Sequence, residues 1–475
     1  MNLTQKIAWN TIIHTIGKFG ASAIGVLVVA ILTRYLGVEG YGEYTTVFAY
    51  LFFFAVLADL GLYVVTINEL KRSQWGEERF FNNIFTMRFV SAIFMMALAG
   101  ALVWFFPYNN NIKWGVLLAS LSVALGLIDQ TLVAYFQNKI NMKMVAAAEL
   151  AGKILLLILT GLVISRGLGL MAILATVVIG FVLNVGINLV VFLKQAKLKL
   201  TFDLIVWREI FGKSWPIAVT SIFSLIYFKA DTLLLSILPI NPAYALSNSE
   251  AVGIYGAPYK ILEVLIAWPA IFMGLVGPVL AKAFAEGDLA GFKKAWQKAF
   301  DGLAVIIWPM IVGTTILARP IIVLLAGESF AAAGTILKIL IWATGIIFLS
   351  HLTTYAIIAI GRQKQMIKYY LSAAVIALVL YIILIPKYAY FGAAGVTVGV
   401  ELFMLMATMI LLGKATGLKI NLMIFGKAFL AAMVMGMALW LASGWHIVLS
   451  IPLGIIIYLI VMFLAGGIDR NLLKK

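Results

Sequence analysis

The sequence predicts an all-α integral membrane protein of about fourteen transmembrane helices, and three observations carry that reading. First, 64% of its 475 residues are hydrophobic and only 11% are charged, with a mean hydropathy of +1.07. Water-soluble chains are nearer about half apolar and a quarter charged. A surplus this large cannot hide in one core, so lipid must solvate much of the surface. Second, apolar runs recur at the roughly 20-residue length that a helix needs to cross a bilayer. They are too long for barrel strands and lack the polar alternation of a barrel. Third, the positive charge is segregated between loops.

In chain order the runs lie at about 9–33, 44–66, 86–106, 114–135, 144–165, 170–193, 213–238, 250–278, 299–318, 333–359, 366–386, 392–412, 424–443 and 447–466. The first is read as an uncleaved span rather than a signal peptide. It carries Asn10, His14 and Lys18, and no small-residue cleavage site follows it. The connecting loops are short, and none could hold a catalytic domain. The segment 194–212 is rich in lysine. The segment 279–298 reads as an amphipathic surface helix, with Phe284, Leu289, Phe292 and Trp296 set against Lys293, Lys294 and Lys298.

Fourteen spans place both termini on one side. Of the 35 Lys and Arg, 24 fall in loops on that side. Six fall on the other (Arg34, Lys113, Arg166, Arg319, Lys338 and Lys387), and five lie inside spans (Lys18, Arg88, Lys153, Lys229 and Lys260). The bias predicts cytoplasmic termini in a plasma (inner) membrane protein. The net charge of +16 is therefore membrane-face charge, not a nucleic-acid footprint, which would need a soluble basic face.

A weak internal repeat follows. The first span runs into Gly40-Tyr41-Gly42-Glu43-Tyr44, and the seventh into Gly253-Ile254-Tyr255-Gly256, with Tyr259 after it. Each copy sets a Tyr-Gly pair and then a second Tyr at the outer start of the next helix. An even number of spans separates the copies, so they share an orientation. This predicts two parallel six-helix lobes, an arrangement found in transporters. Their expected boundaries are 1–194 and 195–414, with two additional helices and a short tail in 415–475. Chance similarity of two Tyr/Gly-rich loops is the competing explanation.

Ionisable residues inside spans cost at least about 2.5–3.5 kcal/mol at a helix centre and usually face a bundle interior or wet cavity. Lys18, Lys153, Lys229 and Lys260 sit near mid-span, accompanied by Asp59, Glu149, Asp231, Glu263 and Glu401. Glu149 with Lys153 (i, i+4) and Lys260 with Glu263 (i, i+3) can each meet on one helix face. Such a pair either neutralises itself or lines a cavity for an anionic head group or a proton. Lys229 and Asp231, two apart, point to different faces and call for partners on other helices. Lys18 extends a polar stripe with Asn10 and His14 that should turn inward, or else snorkel at the interface. Arg88 reads as a snorkelling residue near a span end. Asp129 is likewise near a span end and is discounted.

No enzyme signature is present. The chain has no P-loop Gly-Lys-Ser/Thr and no HExxH. It has no cysteine, and its three histidines are scattered, so neither a metal site nor a cofactor is expected.

Several stretches together resemble one family. They are Thr33-Arg34-Tyr35-Leu36-Gly37 with Gly40–Tyr44; Asp59-Leu60-Gly61; Tyr227-Phe228-Lys229-Ala230-Asp231; and Val252-Gly253-Ile254-Tyr255 with Tyr259-Lys260-Ile261-Leu262-Glu263. Further along come Ala318-Arg319-Pro320 with Gly327-Glu328-Ser329-Phe330; Gly361-Arg362-Gln363-Lys364; and Ile385-Pro386-Lys387-Tyr388 with Gly392-Ala393-Ala394-Gly395. Each is loose, but the ordered set resembles the polysaccharide-transporter (Wzx-type O-antigen flippase) branch of the multidrug/oligosaccharidyl-lipid/polysaccharide exporter superfamily. The resemblance implies two six-helix lobes around a central cavity. It also implies alternating access that carries a polyprenyl-diphosphate-linked oligosaccharide to the outer face, within membrane lipid and beside polymerase or ligase machinery. Lys18, Lys153, Lys229 and Lys260 are then expected to bind the diphosphate. Asp59, Glu149, Asp231 and Glu263 are expected as charge partners or coupling sites for a proton or sodium ion. A cation-coupled small-molecule or drug exporter of the same superfamily is the alternative. A membrane glycosyltransferase would want a large loop with paired carboxylates, which is missing, and a non-transporting scaffold in an envelope assembly complex is a further alternative.

Overall fold

A computed structural model describes residues 3–467, with side chains described from residue 17 on except at 220, 224, 227 and 228. The expected contributions of Asn10 and His14 lie outside the described side chains. The described residues are mostly helical. They form α1 (Leu3–Asp59), α2 (Leu62–Glu69), α3 (Glu77–Leu102), α4 (Asn110–Asn138), α5 (Lys143–Ser165), α6 (Leu170–Leu193) and α7 (Leu204–Ile237). Then follow α8 (Asn248–Leu265), α9 (Ala267–Ala285), α10 (Leu289–Ala326), α11 (Ala333–Ala359), α12 (Ile367–Thr416), α13 (Met423–Leu441) and α14 (Ile447–Leu464).

Among the described residues, 11 helical stretches are long and apolar enough to cross a membrane. Two of them, Gly17–Asp59 and Gln363–Thr416, each contain a pair of the expected spans in bent but continuous helix. Gly37 (φ 68°) bends α1, and Ala389 (φ 48°) bends α12 just after Pro386. Glycine takes a positive φ without a Cβ penalty, whereas Ala389 is a strained exception. Local chemistry sets other ends. Asp203 accepts from Ile205 N and Val206 N at the start of α7. Ser247 and Glu250 cap α8 reciprocally: Ser247 N donates to Glu250 Oε2 at 2.8 Å, and Glu250 N donates to Ser247 Oγ at 3.1 Å.

The chain forms two compact units. One is Met1–Leu238 with Ser247–Gly253, and the other is Pro239–Leu246 with Ile254–Lys475. This division falls after Leu238 rather than at the repeat boundary of 194, because α7 packs against α1, α2 and α3. The segment before α7 is fastened to α3 by side chains that accept from its backbone. Lys199 N donates to Asn82 Oδ1 (3.2 Å), Thr201 N to Thr86 Oγ1 (2.9 Å) and Asp203 N to Asn83 Oδ1 (3.0 Å). The lysine-rich segment 194–212 is thus largely a strap and the first turns of α7.

Within the first unit, one apolar cluster gathers Phe80, Phe81, Phe136, Phe192, Val206 and Ile210. Another gathers Val47, Tyr50, Leu51, Val116 and Leu174. Two glycine contacts bring helices close. A Cβ on Gly42 would lie 1.7 Å from Ser249 O, and one on Gly253 would lie 2.1 Å from Val38 O. Gly42 of the first Tyr-Gly motif therefore packs directly on the Ser249–Gly253 backbone within the first unit. Small residues allow such close approach in membranes, where apolar burial gives helices no preference for one another over lipid.

In the second unit, Trp296, Phe292, Phe300, Leu303 and Phe348 share a buried cluster. This corrects the reading of 279–298 as a surface helix. The segment is the end of α9, a turn and the start of α10, and Phe292 and Trp296 are fully buried. The charged face is solvated as expected, but the apolar face meets helices instead of lipid head groups. The additional helices α13 and α14 pack on α10 through Ala428, Ala431, Ala432 and Met435, and Tyr458 Oη donates to Val305 O at 2.8 Å.

Candidate functional site

The expected site residues divide between the units. In the first, Lys18 on α1 is exposed. Its neighbours Gly17 and Gly20 pack on Ala146 and Leu150 of α5, which carries the half-buried Glu149 and Lys153. Lys229 on α7 is half-buried, with its Nζ 5.9 Å from the centre of the Phe52 ring. That is cation–π range, a contact strengthened where water is scarce. Asp231, on another face of α7, is 1% exposed. Its Oδ1 accepts from Thr232 N at 2.5 Å and from Thr232 Oγ1 at 3.1 Å. In the second unit Lys260 Nζ and Glu263 Oε2 meet at 2.8 Å, with side chains 43% and 30% exposed. The i, i+3 pair thus forms, and it remains open enough for an anion to compete for the lysine.

Asp59 ends α1, where Leu60 (φ 49°) and Gly61 (φ 75°) turn the chain. Its Oδ2 accepts from Gly61 N at 3.3 Å, and its Oδ1 pairs with Arg88 of α3. The Arg88 side chain is 1% exposed. Arg88 therefore does not snorkel, which corrects the expectation from its place near a span end. It turns into the helix bundle, where Asp59 neutralises it and Gln130 and Thr131 of α4 flank it at 3.4 Å.

Sequence reasoning misses two polar clusters. Asp129 on α4 is 8% exposed and accepts from Asn184 Nδ2 (3.1 Å) and Asn188 Nδ2 (2.8 Å) of α6. Nearness to a span end is no reason to discount it, because the helices around it keep water out. The available signal is Asn184 and Asn188 themselves, an i, i+4 amide pair in a strongly apolar span. The second cluster is Glu43, 6% exposed, which accepts from Asn109 Nδ2 and from Asn111 Nδ2 (3.2 Å).

Away from the apolar spans, ion pairs brace the loops of the first unit. Lys213 reaches Glu69 (2.8 Å) and Glu209 (2.9 Å), Lys139 reaches Glu77 (2.7 Å), and Arg79 pairs with Asp203. The hydrogen bond from Arg79 holds the Asp203 carboxyl below its usual range. Lys213, with Trp75 donating to the same carboxylate, does the same for Glu209. Among the described residues no three His, Asp or Glu side chains converge as a metal site.

A family of polysaccharide biosynthesis proteins matches residues 7–284. No curated protein matches the chain. Solved structures match along most of its length. A lipid II flippase, MurJ, in an inward closed conformation superposes with a TM-score of 0.78 at 15% identity, covering 95% of this chain and 98% of the other. An inward-facing multidrug resistance MATE transporter of the MOP superfamily gives 0.65 at 13% identity, covering 88% and 95%. The MATE multidrug transporter DinF-BH gives 0.61 at 17% identity, covering 87% and 96%. At these identities the likeness is one of fold.

Proposed function

Because the chain belongs to the polysaccharide biosynthesis protein family, we propose that it is a flippase for a polyprenyl-diphosphate-linked oligosaccharide. It moves the head group from the cytoplasmic to the outer face of the plasma (inner) membrane by alternating access, with both termini cytoplasmic. The carrying observation is that the family match, residues 7–284, contains all four lysines that the sequence places inside expected spans, Lys18, Lys153, Lys229 and Lys260. A diphosphate carries concentrated negative charge that lipid cannot solvate, and ammonium groups stabilise it as point charges. Lys18 is exposed and Lys260 is only partly covered by Glu263, so both can exchange their surroundings for a phosphate. The apolar tail stays in lipid, and the reaction forms and breaks no bond. The two compact units, which divide after Leu238, are the proposed moving parts. The substrate biases their equilibrium only through its differential affinity for the two states.

The experiment is complementation of a strain lacking its own oligosaccharide-lipid flippase, at matched membrane expression. The intact chain should restore surface glycan. Lys18→Ala and Lys229→Ala should each lower transport roughly 10- to 100-fold, the equivalent of about 1.5–3 kcal/mol for one charged hydrogen bond. Full activity of both variants would remove the lysines from the site and leave the flippase standing. The MATE-like fold supports a second reading, a cation-coupled exporter of small molecules. That reading wins if the intact chain restores no glycan type and confers resistance to cationic compounds instead.

A further inference from the structure

Lysines cluster at the end of the second unit where α10 begins and α12 gives way to α13. Lys293, Lys294 and Lys298 stand on the opening turns of α10. Lys414 is in the last turn of α12, and Lys419 is in the link 417–422 that leads to α13. Gln297 ties α10 to that link. Its Nε2 donates to Asn421 O at 2.8 Å, and its Oε1 accepts from Asn421 N at 3.0 Å. Lys293 reaches over the start of the link, where a Cβ on Gly417 would lie 3.6 Å from its Nζ. Lysines far apart in sequence therefore share one surface. Lys427 of α13 bounds it, with its Nζ donating to Gly466 O at 3.2 Å.

Carboxylates do not neutralise this surface. Among the described residues none of the five lysines forms an ion pair. In the first unit, by contrast, Arg79, Lys139 and Lys213 each meet a carboxylate. The acids close by in the chain are committed elsewhere. Asp301 Oδ1 accepts from Gln297 Nε2 at 2.9 Å, and Asp288 Oδ1 accepts from Gly291 N at 2.7 Å to cap α10. Glu286 stands 3.8 Å from Lys282. Four of the five lysines are exposed, and Lys293 is half-buried. Unbalanced charges of one sign sum into a field that draws an ion of the other sign.

The neighbours of Lys419 say which anion. Ile420, Leu422 and Met423 are 39%, 58% and 58% exposed. A soluble phosphate has no use for them, whereas a lipid presents a phosphate and methylenes side by side. On the topology proposed above this is the cytoplasmic face, the leaflet whose anionic lipids attract basic segments beside spans.

We propose that this surface binds the head group of an anionic phospholipid. The ammonium groups of Lys293, Lys294, Lys298, Lys414 and Lys419 hold its phosphate, and Ile420, Leu422 and Met423 take the first methylenes of its chains. The bound lipid fastens the link between α12 and α13 to the bilayer. Lipid binding is measured without any glycan, so a wrong transport substrate leaves this site untouched.

The test mixes the purified full chain, in an uncharged detergent, with phosphatidylglycerol, phosphatidylcholine or soluble glycerol phosphate. Native mass spectrometry counts the retained molecules, and acetylation of lysines, mapped by peptide, reads the site itself. Phosphatidylglycerol should be retained over phosphatidylcholine and should shield the five lysines from acetylation. Lys294→Gln with Lys298→Gln, and Lys414→Gln with Lys419→Gln, should each weaken its retention about 30-fold, about fivefold per charge. Lys338→Gln with Lys387→Gln removes two exposed lysines elsewhere in the unit and should leave retention unchanged. Leu422→Gln with Met423→Gln should weaken retention of the lipid. Should a variant fail to fold, shielding in the intact chain decides. Equal retention of both lipids, displacement of the lipid by an equal concentration of glycerol phosphate, or lysine pairs that behave like the control pair would overturn the site.

Discussion

Replacing Arg88 with methionine should destabilise the first unit far more than a surface charge change would. The guanidinium is 1% exposed, and Asp59, its partner, is 23% exposed. Breaking a buried pair by removing one member typically costs about 3–5 kcal/mol, because the other charge stays behind. Asp59 keeps some access to solvent and a backbone donor at Gly61. The expected cost is therefore at the lower end, about 3 kcal/mol. Removing both charges leaves no stranded ion, so Arg88→Met with Asp59→Leu should recover most of that loss. Equilibrium unfolding in mixed micelles of the intact chain, both single variants and the double variant gives the coupling directly. The reasoning fails if Arg88→Met unfolds within about 0.5 kcal/mol of the intact chain, the range of an ordinary surface change. It also fails if the two losses simply add.

Two further predictions concern the same unit. Gly253→Ala and Gly42→Ala place a methyl 2.1 Å from Val38 O and 1.7 Å from Ser249 O, so α1 and the start of α8 must separate. Each should cost about 1–3 kcal/mol, as overpacking does. Gly25→Ala, with nothing within 4 Å of its Cβ, should be neutral or slightly stabilising; equal unfolding midpoints for all three would refute the contact. The strap before α7 should loosen in acid. Asp203 titrates below its unfolded value because Arg79 hydrogen-bonds to it. Its contribution is complete above about pH 4, the unfolded value, and fades as pH falls through the lower folded one. Hydrogen exchange at 199–203, corrected for intrinsic rates, should show protection at pH 6 that weakens near pH 3, and constant protection would count against the ion pair.

How much of the site is legible in the sequence varies residue by residue. Lys260 and Glu263 read as a local pair and form one, since three residues along a helix bring two side chains together whatever surrounds it. Arg88 reads wrongly as a snorkelling residue because its depth in the bundle depends on Asp59, which lies on another helix. Asp129 sits near a span end, a place that hides its burial. That burial comes from packing against α6, where its hydrogen-bond partners stand 55 and 59 residues away.

Composition and hydropathy along the chain set the solvent and the elements. In lipid every backbone polar group must be satisfied internally, so long apolar runs have to become helices, and the composition reveals where they are. Charge placement along the loops is likewise a one-dimensional property. Tertiary structure alone decided which helices continue through a bend, as α1 does at Gly37 and α12 at Ala389. It also decided that Trp296 faces helices rather than a membrane surface, and that Asp129 meets Asn184 and Asn188. Hydropathy separates lipid from water but does not separate lipid from a neighbouring helix, so which face of each span turns inward follows from packing, small residues and paired charges.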